Sequence, residues 1–252
     1  SSALGLANEP ASLLAGKFVK AAGRPLKKVF FSDNGSTALE VALKMSYEYN
    51  RRIGRSRSPR FLSLSGSYHG DTVGASSLGQ IELFRKPCSG LLFKTDKAIS
   101  PYCYRCPFNK AKPDRQDARV GRKCKWECIR KLEVKLSSRK YGALVLEPLI
   151  QGAAGMIMHP SGWLKRASNA AKTSGAQVIA DEVMTGFGRT GTIFAGQKEK
   201  VVPDFLCLAK GMTGGYLPMA ATLTTQDVFD VFLGEYDEFK TFFHGHSFTG
   251  NQ

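Results

Sequence analysis

The sequence contains no apolar run approaching the roughly 18 to 20 residues that a membrane-spanning helix needs, so we predict no membrane segment. Its first residues lack the basic stretch and the apolar core of a signal peptide. Without a secretory signal, the six cysteines are expected to be reduced thiols in a cytoplasmic protein. The chain also lacks an initiator methionine and a recognisable closing segment, so we expect a partial sequence.

Regularly interleaved aromatic residues are missing from the basic stretches, although the formal net charge is +15. Such a charge alone would suggest a nucleic-acid partner. Much of it lies in residues 51–60 and 110–140, which we interpret as exposed, solvated segments, and a stacking platform for bases would need aromatic rings among them. We therefore predict no nucleic-acid partner. A basic nucleic-acid-binding module stays as the alternative from another functional class, and its affinity would fall steeply with salt.

Segments rich in valine, isoleucine and leucine alternate with amphipathic segments, which is typical of βαβ units around a buried parallel sheet. We predict an α/β fold with a mainly parallel central sheet flanked by helices, in one domain over residues 1–252. The predicted strands are 29–31, 60–64, 143–146, 177–180, 205–208 and 217–223, and the predicted helices are 36–50, 163–174 and 225–233. Residues 86–135, which contain most of the cysteines, interrupt the alternation and are predicted to be a surface insertion.

An acid and a lysine each follow a predicted strand. Asp181 follows an apolar strand, and Lys210 follows a later one, with the glycine-rich loop 185–191 between them. Ligands of open α/β sheets bind outside the carboxyl ends of the strands, so both side chains could face one ligand. A lysine there can lose its proton and attack a carbonyl, and a carboxylate can keep a pyridine nitrogen protonated. Taken singly, each residue is also compatible with a cap or an ordinary surface position.

Two further loops follow predicted strands. The loop 32–37 begins a helix, where free amides form an anion site, although Asn34 or Ser36 could equally be an ordinary N-cap. In the loop 65–72, Tyr68 could stack on a planar ligand or could be a buried tyrosine with a bonded hydroxyl.

The ordered set of these motifs resembles the class III, fold-type I aminotransferases, which depend on pyridoxal phosphate. The motifs are Asp33-Asn34-Gly35-Ser36, Tyr68-His69-Gly70-Asp71, Glu147-Pro148 with Gln151-Gly152, Asp181-Glu182, 186–191, Ala209-Lys210-Gly211 and 244–248. The resemblance implies the large cofactor-binding domain of this fold. It also implies that an N-terminal segment and a C-terminal small domain of the family are absent from this sequence.

The resemblance further implies roles for individual residues. Lys210 would bind the cofactor covalently and move a proton, Asp181 would pair with the pyridine nitrogen, and Tyr68 would stack on the ring. The residues implied to bind the cofactor are Gly35, Ser36, Tyr68, Asp181, Lys210, His246 and Ser247. His246 and Ser247 would reach the cofactor of a neighbouring subunit, so a homodimer with shared sites is implied.

The residues implied to line the substrate pocket are Tyr68, Asp71, Arg189, Lys210 and Gly245. Glu147 and Gln151 are implied to hold the surroundings of the cofactor in place. Within the family, the chain is most similar to the branch of biotin synthesis. That branch implies S-adenosylmethionine as amino donor and 8-amino-7-oxononanoate as acceptor, with 7,8-diaminononanoate as product. Asp71 separates this branch from the ornithine and 4-aminobutyrate aminotransferases, which usually have a basic residue there. A class III enzyme for an ω-amino acid or a diamine stays as the alternative.

Four cysteines have the spacing of metal ligands, with two residues between Cys103 and Cys106 and three between Cys124 and Cys128. Four thiolates could close a tetrahedral zinc site. Reduced thiols in a surface insertion are the interpretation preferred here, because the stretch has few other ligand types. No metal ion is therefore predicted.

Overall fold

The computed structural model describes residues 7–108 and 124–246. Its α-helices are α1 (Glu9–Ala22), α2 (Gly35–Arg52), α3 (Val73–Leu78), α4 (Glu82–Arg85), α5 (Glu127–Leu136), α6 (Trp163–Ser174) and α7 (Gln226–Asp230). Its strands are β1 (Leu26–Ser32), β2 (Arg60–Leu64), β3 (Asp96–Ala98), β4 (Tyr141–Leu146), β5 (Ile150–Gln151), β6 (Ile157–Met158), β7 (Gln177–Asp181), β8 (Phe205–Leu208) and β9 (Ala220–Thr225). Short 3-10 helices cover Lys86–Leu91, Cys103–Arg105, Ala195–Glu199, Lys210–Met212 and Tyr236–Glu238.

The central sheet has seven strands in the order β1-β9-β8-β7-β4-β2-β3, and β5 pairs with β6 in a separate ribbon. From β8 to β3 every neighbouring pair is parallel, whereas β9 is antiparallel to both β8 and β1. The predicted α/β fold with a mainly parallel sheet is confirmed. Because β1 pairs only through β9, it runs in the same direction as the other strands, and its end lies at the same edge of the sheet.

The apolar runs of the central strands are buried on both faces, as expected for parallel strands covered by helices. Alternate residues point to opposite faces, so Val145 and Ile179 pack in the cluster that contains α2, while Leu144 and Val178 pack in the cluster under α5 and α6. A third cluster joins α1 to β8 and β9. The sheet is therefore held between layers of helices.

Several predicted bounds agree with the structure. The strands 60–64 and 205–208 and the helix 163–174 were predicted with the observed bounds. The strand predicted from 217 begins at Ala220, because Leu217 and Pro218 are exposed and lie beside the cavity described below. Helix α1 was not predicted, although Asn8 accepts a hydrogen bond from the Ala11 N–H at 2.9 Å and a proline stands in its first turn.

The described part of the predicted insertion 86–135 is joined to the core. Its strand β3 is the edge strand beside β2, and Ala98 is buried. Its last residues form all of α5 except the final Leu136, and Ile129 and Leu132 of this helix are buried against the sheet. In the part of the chain that the structure describes, no helix has the length and apolar character needed to cross a membrane.

Candidate active site

A cavity of about 760 Å³ lies at the carboxyl edge of the parallel strands. Its wall is formed by the loops that follow β1, β2, β4, β7 and β8, since parallel strands end at the same edge of a sheet. The predicted site residues that line it are Gly35, Ser36, Tyr68, Asp181 and Lys210. The fold thus brings into one cavity side chains that the sequence places on four separate loops.

Asp181 is the last residue of β7, and its side chain is only 6% exposed. Its Oδ2 lies 2.7 Å from Nδ1 of His69, and its Oδ1 accepts a hydrogen bond from the Val183 N–H at 3.1 Å. A buried carboxylate needs such partners, because burial without them is costly. Both oxygens are therefore held, and the carboxylate has a fixed orientation in the wall of the cavity.

His69 belongs to the functional residues for which the sequence analysis gave no role. Its side chain is fully buried, and its Nε2 has no hydrogen-bond partner in the described part of the chain. The only sequence signal was its place beside Tyr68 in a loop after a strand. The contact with Asp181 joins residues 112 positions apart, so no local pattern encodes it.

Lys210 follows the buried Ala209 at the end of β8 and begins the 3-10 helix Lys210–Met212. Its φ is 41°, a left-handed conformation that costs a non-glycine residue about 1 kcal/mol or more. The side chain is exposed, and within residues 7–108 and 124–246 its amine has neither a hydrogen-bond nor an ion-pair partner. A strained lysine with a free amine at a cavity is a candidate for chemistry rather than for packing.

Helix α2 points its N-terminus at the cavity. Asn34 caps it by accepting from the Thr37 N–H at 3.1 Å, while the Thr37 hydroxyl accepts from the Asn34 N–H at 3.0 Å. This capping box leaves the N–H groups of Gly35 and Ser36 free of capping bonds, so the helix terminus can hold an anion. Both predicted interpretations of this loop, cap and anion site, fit the same structure.

Close packing joins this helix start to the loops after β2 and β7. A Cβ on Gly35 would lie 2.7 Å from Cγ1 of Val183, and a Cβ on Gly70 would lie 2.0 Å from Oγ of Ser36. Gly70 also has a φ of 123°, which favours glycine. The Ser36 hydroxyl accepts a hydrogen bond from the Asp71 N–H at 3.2 Å. The three loops are therefore fixed relative to one another.

Tyr68 is half-buried, and its hydroxyl donates to Oδ2 of Asp71 at 2.7 Å. Burial and the bond to Asp71 raise the pKa of Tyr68 to about 12, so its hydroxyl stays protonated at neutral pH.

The Tyr68 N–H donates to Oε1 of Glu147 at 3.2 Å, and the Gly152 N–H donates to Oε2 of Glu147 at 2.8 Å. Burial raises the pKa of Glu147, which His69 lowers and Asp181 raises further.

Gln151 and Glu182 hold the surroundings of the cavity. The Gln151 amide donates to the Ser65 carbonyl at 2.9 Å and so ties the ribbon to the loop after β2. Glu182 is buried, and it accepts from the N–H groups of Ala195 at 2.5 Å and Gly196 at 2.9 Å. Burial raises the pKa of Glu182 to about 7. Its two bonds close the loop that carries the predicted glycine-rich stretch 185–191.

The remaining predicted residues lie outside the cavity. Arg189 is exposed and lines an adjoining cavity of about 1050 Å³, which shares Lys210 with the first. Asp71 is exposed and contacts the site through Tyr68. Gly245 is exposed, and Nδ1 of His246 lies 2.6 Å from Oδ2 of Asp33. Ser247 lies outside the described residues.

Comparisons with known proteins identify a family and several relatives that the chain resembles. The family model described as Aminotransferase class-III matches residues 1–252. An adenosylmethionine-8-amino-7-oxononanoate aminotransferase of Geobacter sulfurreducens is 49% identical over 253 residues, which cover 100% of this chain and 54% of the relative. The corresponding protein of Aquifex aeolicus is 48% identical over 250 residues, which cover 98% of this chain and 53% of the relative. The chain spans about half the length of the curated relatives it matches.

Solved structures show the same likeness. A crystal structure of adenosylmethionine-8-amino-7-oxononanoate aminotransferase from Methanocaldococcus jannaschii matches with a TM-score of 0.87 and 40% identity, over 100% of this chain and 54% of that one. An amine transaminase from an uncultivated Pseudomonas species, solved in a PLP-bound form, matches with a TM-score of 0.87 and 34% identity, over 99% of this chain and 55% of that one.

Proposed function

The chain belongs to the class III aminotransferase family, and on this premise we propose that it forms the part of an aminotransferase that binds pyridoxal phosphate. The observation that carries the proposal is that Asp181 and Lys210, at the ends of neighbouring parallel strands, line one cavity with the N-terminus of α2. A fixed acid, a free amine and an anion site are the three groups that this cofactor requires of a protein.

The residues of the cavity fit the cofactor. The N–H groups of Gly35 and Ser36 with the Ser36 hydroxyl would hold its phosphate, because the helix N-terminus favours negative charge. Asp181 would hold the pyridine nitrogen, and its two existing hydrogen bonds keep it in place to do so. Tyr68 would contact the ring, and its own hydroxyl is already fixed by Asp71. Lys210 would form the covalent bond.

Bound pyridoxal phosphate supplies an electron sink that stabilises negative charge at the carbon bearing the amino group. The protein's own residues then supply the proton chemistry. Lys210 would move the proton at that carbon whenever its amine is not bonded to the cofactor, which its exposed position allows. Asp181 would keep the pyridine nitrogen protonated, and His69 holds Asp181 in its orientation. Tyr68 and Met219 exclude water from part of the cavity wall.

We further propose that the amino group passes from S-adenosylmethionine to 8-amino-7-oxononanoate and gives 7,8-diaminononanoate. Relatives with 40–49% identity over the whole of this chain support this choice, since they are named for that reaction. Asp71 supports it as well, because an acid that accepts a hydrogen bond from Tyr68 stands where the ornithine and 4-aminobutyrate branches usually have a basic residue. Transfer from an ω-amino acid or a diamine is the competing activity within the family.

A homodimer with shared sites completes the proposal. His246 does not line the cavity of its own chain, in keeping with a role at a neighbouring one. Large apolar side chains are exposed near the cavity and near His246, including Tyr216 at 88% and Phe243 at 67%, and a subunit interface would cover them. The expected mass in solution is that of two subunits.

The test uses the full-length protein that contains this chain. After incubation with pyridoxal phosphate, borohydride reduction and peptide mapping, label is expected on Lys210. The label should be lost in Lys210→Ala and kept in Lys198→Ala, whose lysine lines only the adjoining cavity. Absence of label on Lys210 in the full-length protein would overturn the proposed cofactor site.

The substrate is tested separately, by following the diamine product with mass spectrometry. Turnover of 8-amino-7-oxononanoate with S-adenosylmethionine is expected. A labelled enzyme that accepts only ω-amino donors would contradict the proposed substrates and favour the competing activity.

A further inference from the structure

Four of the six cysteines lie together, away from the cavity that contains Lys210. Cys103, Cys106, Cys124 and Cys128, called here the thiol cluster, line one small cavity of about 20 Å³. All four are free thiols of intermediate exposure, and none of them lines the Lys210 cavity. The two cysteines outside the cluster are Cys88, in the 3-10 helix Lys86–Leu91, and Cys207, buried in β8.

Local backbone structure presents each pair of thiols on a tight turn. Cys103–Arg105 is a single 3-10 turn, closed by a hydrogen bond from the Cys106 N–H to the Cys103 carbonyl at 3.3 Å. In the second pair, the Trp126 N–H donates to Sγ of Cys124 at 3.3 Å, and Trp126 has a left-handed φ of 59°. A left-handed tryptophan is unusual, and this conformation makes the sulfur an acceptor just before α5 begins.

A buried hydrogen-bond donor belongs to the same region as the thiols. Cys128 packs against the core cluster that contains Trp163, whose side chain is fully buried. The indole N–H of Trp163 makes no hydrogen bond of good geometry in the described residues. A charged sulfur, as in a metal thiolate, would supply the acceptor that this buried donor lacks.

We propose that the thiol cluster binds one Zn²⁺ ion through four cysteine sulfurs. The chemistry balances as one Zn²⁺ and four thiols giving a tetrathiolate complex of charge −2 and four protons. Four cysteine sulfurs complete the tetrahedral coordination of one such ion. Within the described residues, no three potential ligands already surround one point. Binding therefore turns the thiols inward, in keeping with metal sites that form together with their metal.

The proposal departs from the sequence prediction of no metal because the two cysteine pairs converge. Spacing alone could not show that residues 103–106 and 124–128 meet, whereas the structure places them on one cavity. A closed site of four thiolates leaves no open position for a substrate, so its role is structural. It would fasten the turn after β3 to the start of α5, whose Ile129 and Leu132 pack against the sheet.

The test measures metal in the full-length protein, purified without an affinity tag and passed through metal-free buffer. Mass spectrometry of the metal content is expected to find about one zinc per chain. Cys103→Ser and Cys128→Ser each remove a ligand of the ion, which is a larger change than loss of a ligand's outer partner, a change that alone lowers metal affinity about 10- to 100-fold. Both variants should therefore lose most of their zinc in the metal-free buffer. Cys88→Ser, the matched control outside the cluster, should keep its zinc.

A second measurement needs only the wild-type protein, so it still tests the proposal if the cysteine variants fail to fold. Wild-type protein stripped with a chelator is titrated with Co²⁺, and a tetrahedral thiolate site gives intense visible absorbance that Zn²⁺ removes. The proposal is overturned if the wild type holds less than about a tenth of an equivalent of zinc and gives no such absorbance. Disulfides within the cluster, or equal zinc loss in Cys88→Ser, would also overturn it.

Discussion

Replacing His69 with phenylalanine removes the Nδ1 contact with Asp181 while keeping a ring of similar size. The contact is 2.7 Å long between side chains that are 0% and 6% exposed, and Asp181 has only one other hydrogen bond in the described structure, from the Val183 N–H. A hydrogen bond to a charged group contributes about 1.5–3 kcal/mol, and an unsatisfied buried charge adds to the loss. We therefore expect the free energy of unfolding to fall by about 2 kcal/mol or more.

The same substitution is expected to change activity through Asp181. With one oxygen unpaired, the Asp181 carboxylate is no longer held in one orientation toward the ligand, so the half-reaction should slow. Each 2 kcal/mol of transition-state stabilisation that is lost with this orientation slows the half-reaction about 30-fold.

Urea denaturation and stopped-flow half-reactions measure these effects. The control is His159→Phe, which removes another buried histidine and should lower stability without slowing the half-reaction of the folded protein. His69→Asn, which keeps a donor, should recover part of the loss. If His69→Phe unfolded at the wild-type midpoint and kept the wild-type half-reaction rate, the positioning of Asp181 by His69 would be refuted.

Three further substitutions test the site. Asp181→Asn should leave Lys210 labelled by the cofactor but slow the half-reaction about 100-fold or more, and unaltered single-turnover rates would contradict the role of the acid. Gly70→Ala should lower the free energy of unfolding by more than about 2 kcal/mol, because the added Cβ would lie 2.0 Å from Oγ of Ser36 and the backbone φ is 123°. The control is Gly16→Ala in α1, where the added Cβ meets open space, and this variant should be neutral or stabilising in the same melt. Glu182→Gln should gain stability relative to the wild type as pH rises from about 4.5 to about 7, since the folded carboxyl keeps its proton up to a pKa of about 7 and the unfolded one only to 4.5. The gain is roughly 3 kcal/mol, and urea melts that gave a constant difference between the two proteins at pH 4.5 and pH 8 would count against it.

The sequence predicted those parts of the site that depend on strand ends. Asp181 and Lys210 each follow a continuous apolar run, and parallel strands put the ends of such runs at one edge of the sheet. The strand Arg60–Leu64 and the helix Trp163–Ser174 were also predictable, because their apolar patterns are bounded by turn residues. These features are local, so a single sequence contains them.

Contacts between distant segments could not be predicted in this way. The pairing of His69 with Asp181, the meeting of the two cysteine pairs and the antiparallel direction of β9 all depend on which elements become neighbours. The short edge strand β3 was not predicted, because three residues are too few to show the alternation of apolar and polar side chains that marks a strand. Helix α1 is the exception, since Asn8 and Pro10 were readable as a helix start.

The charges on the walls of the cavity determine the orientation in which a ligand binds. Glu147 and Asp181 are two buried acids, and burial together with Asp181 raises the pKa of Glu147. This wall therefore favours a ligand that brings positive charge to Asp181, as a protonated pyridine nitrogen does. The N-terminus of α2, on the wall formed by Gly35 and Ser36, favours negative charge instead. A ligand with a cationic ring and an anionic phosphate satisfies both walls at once, and a purely anionic or a purely cationic ligand would satisfy only one.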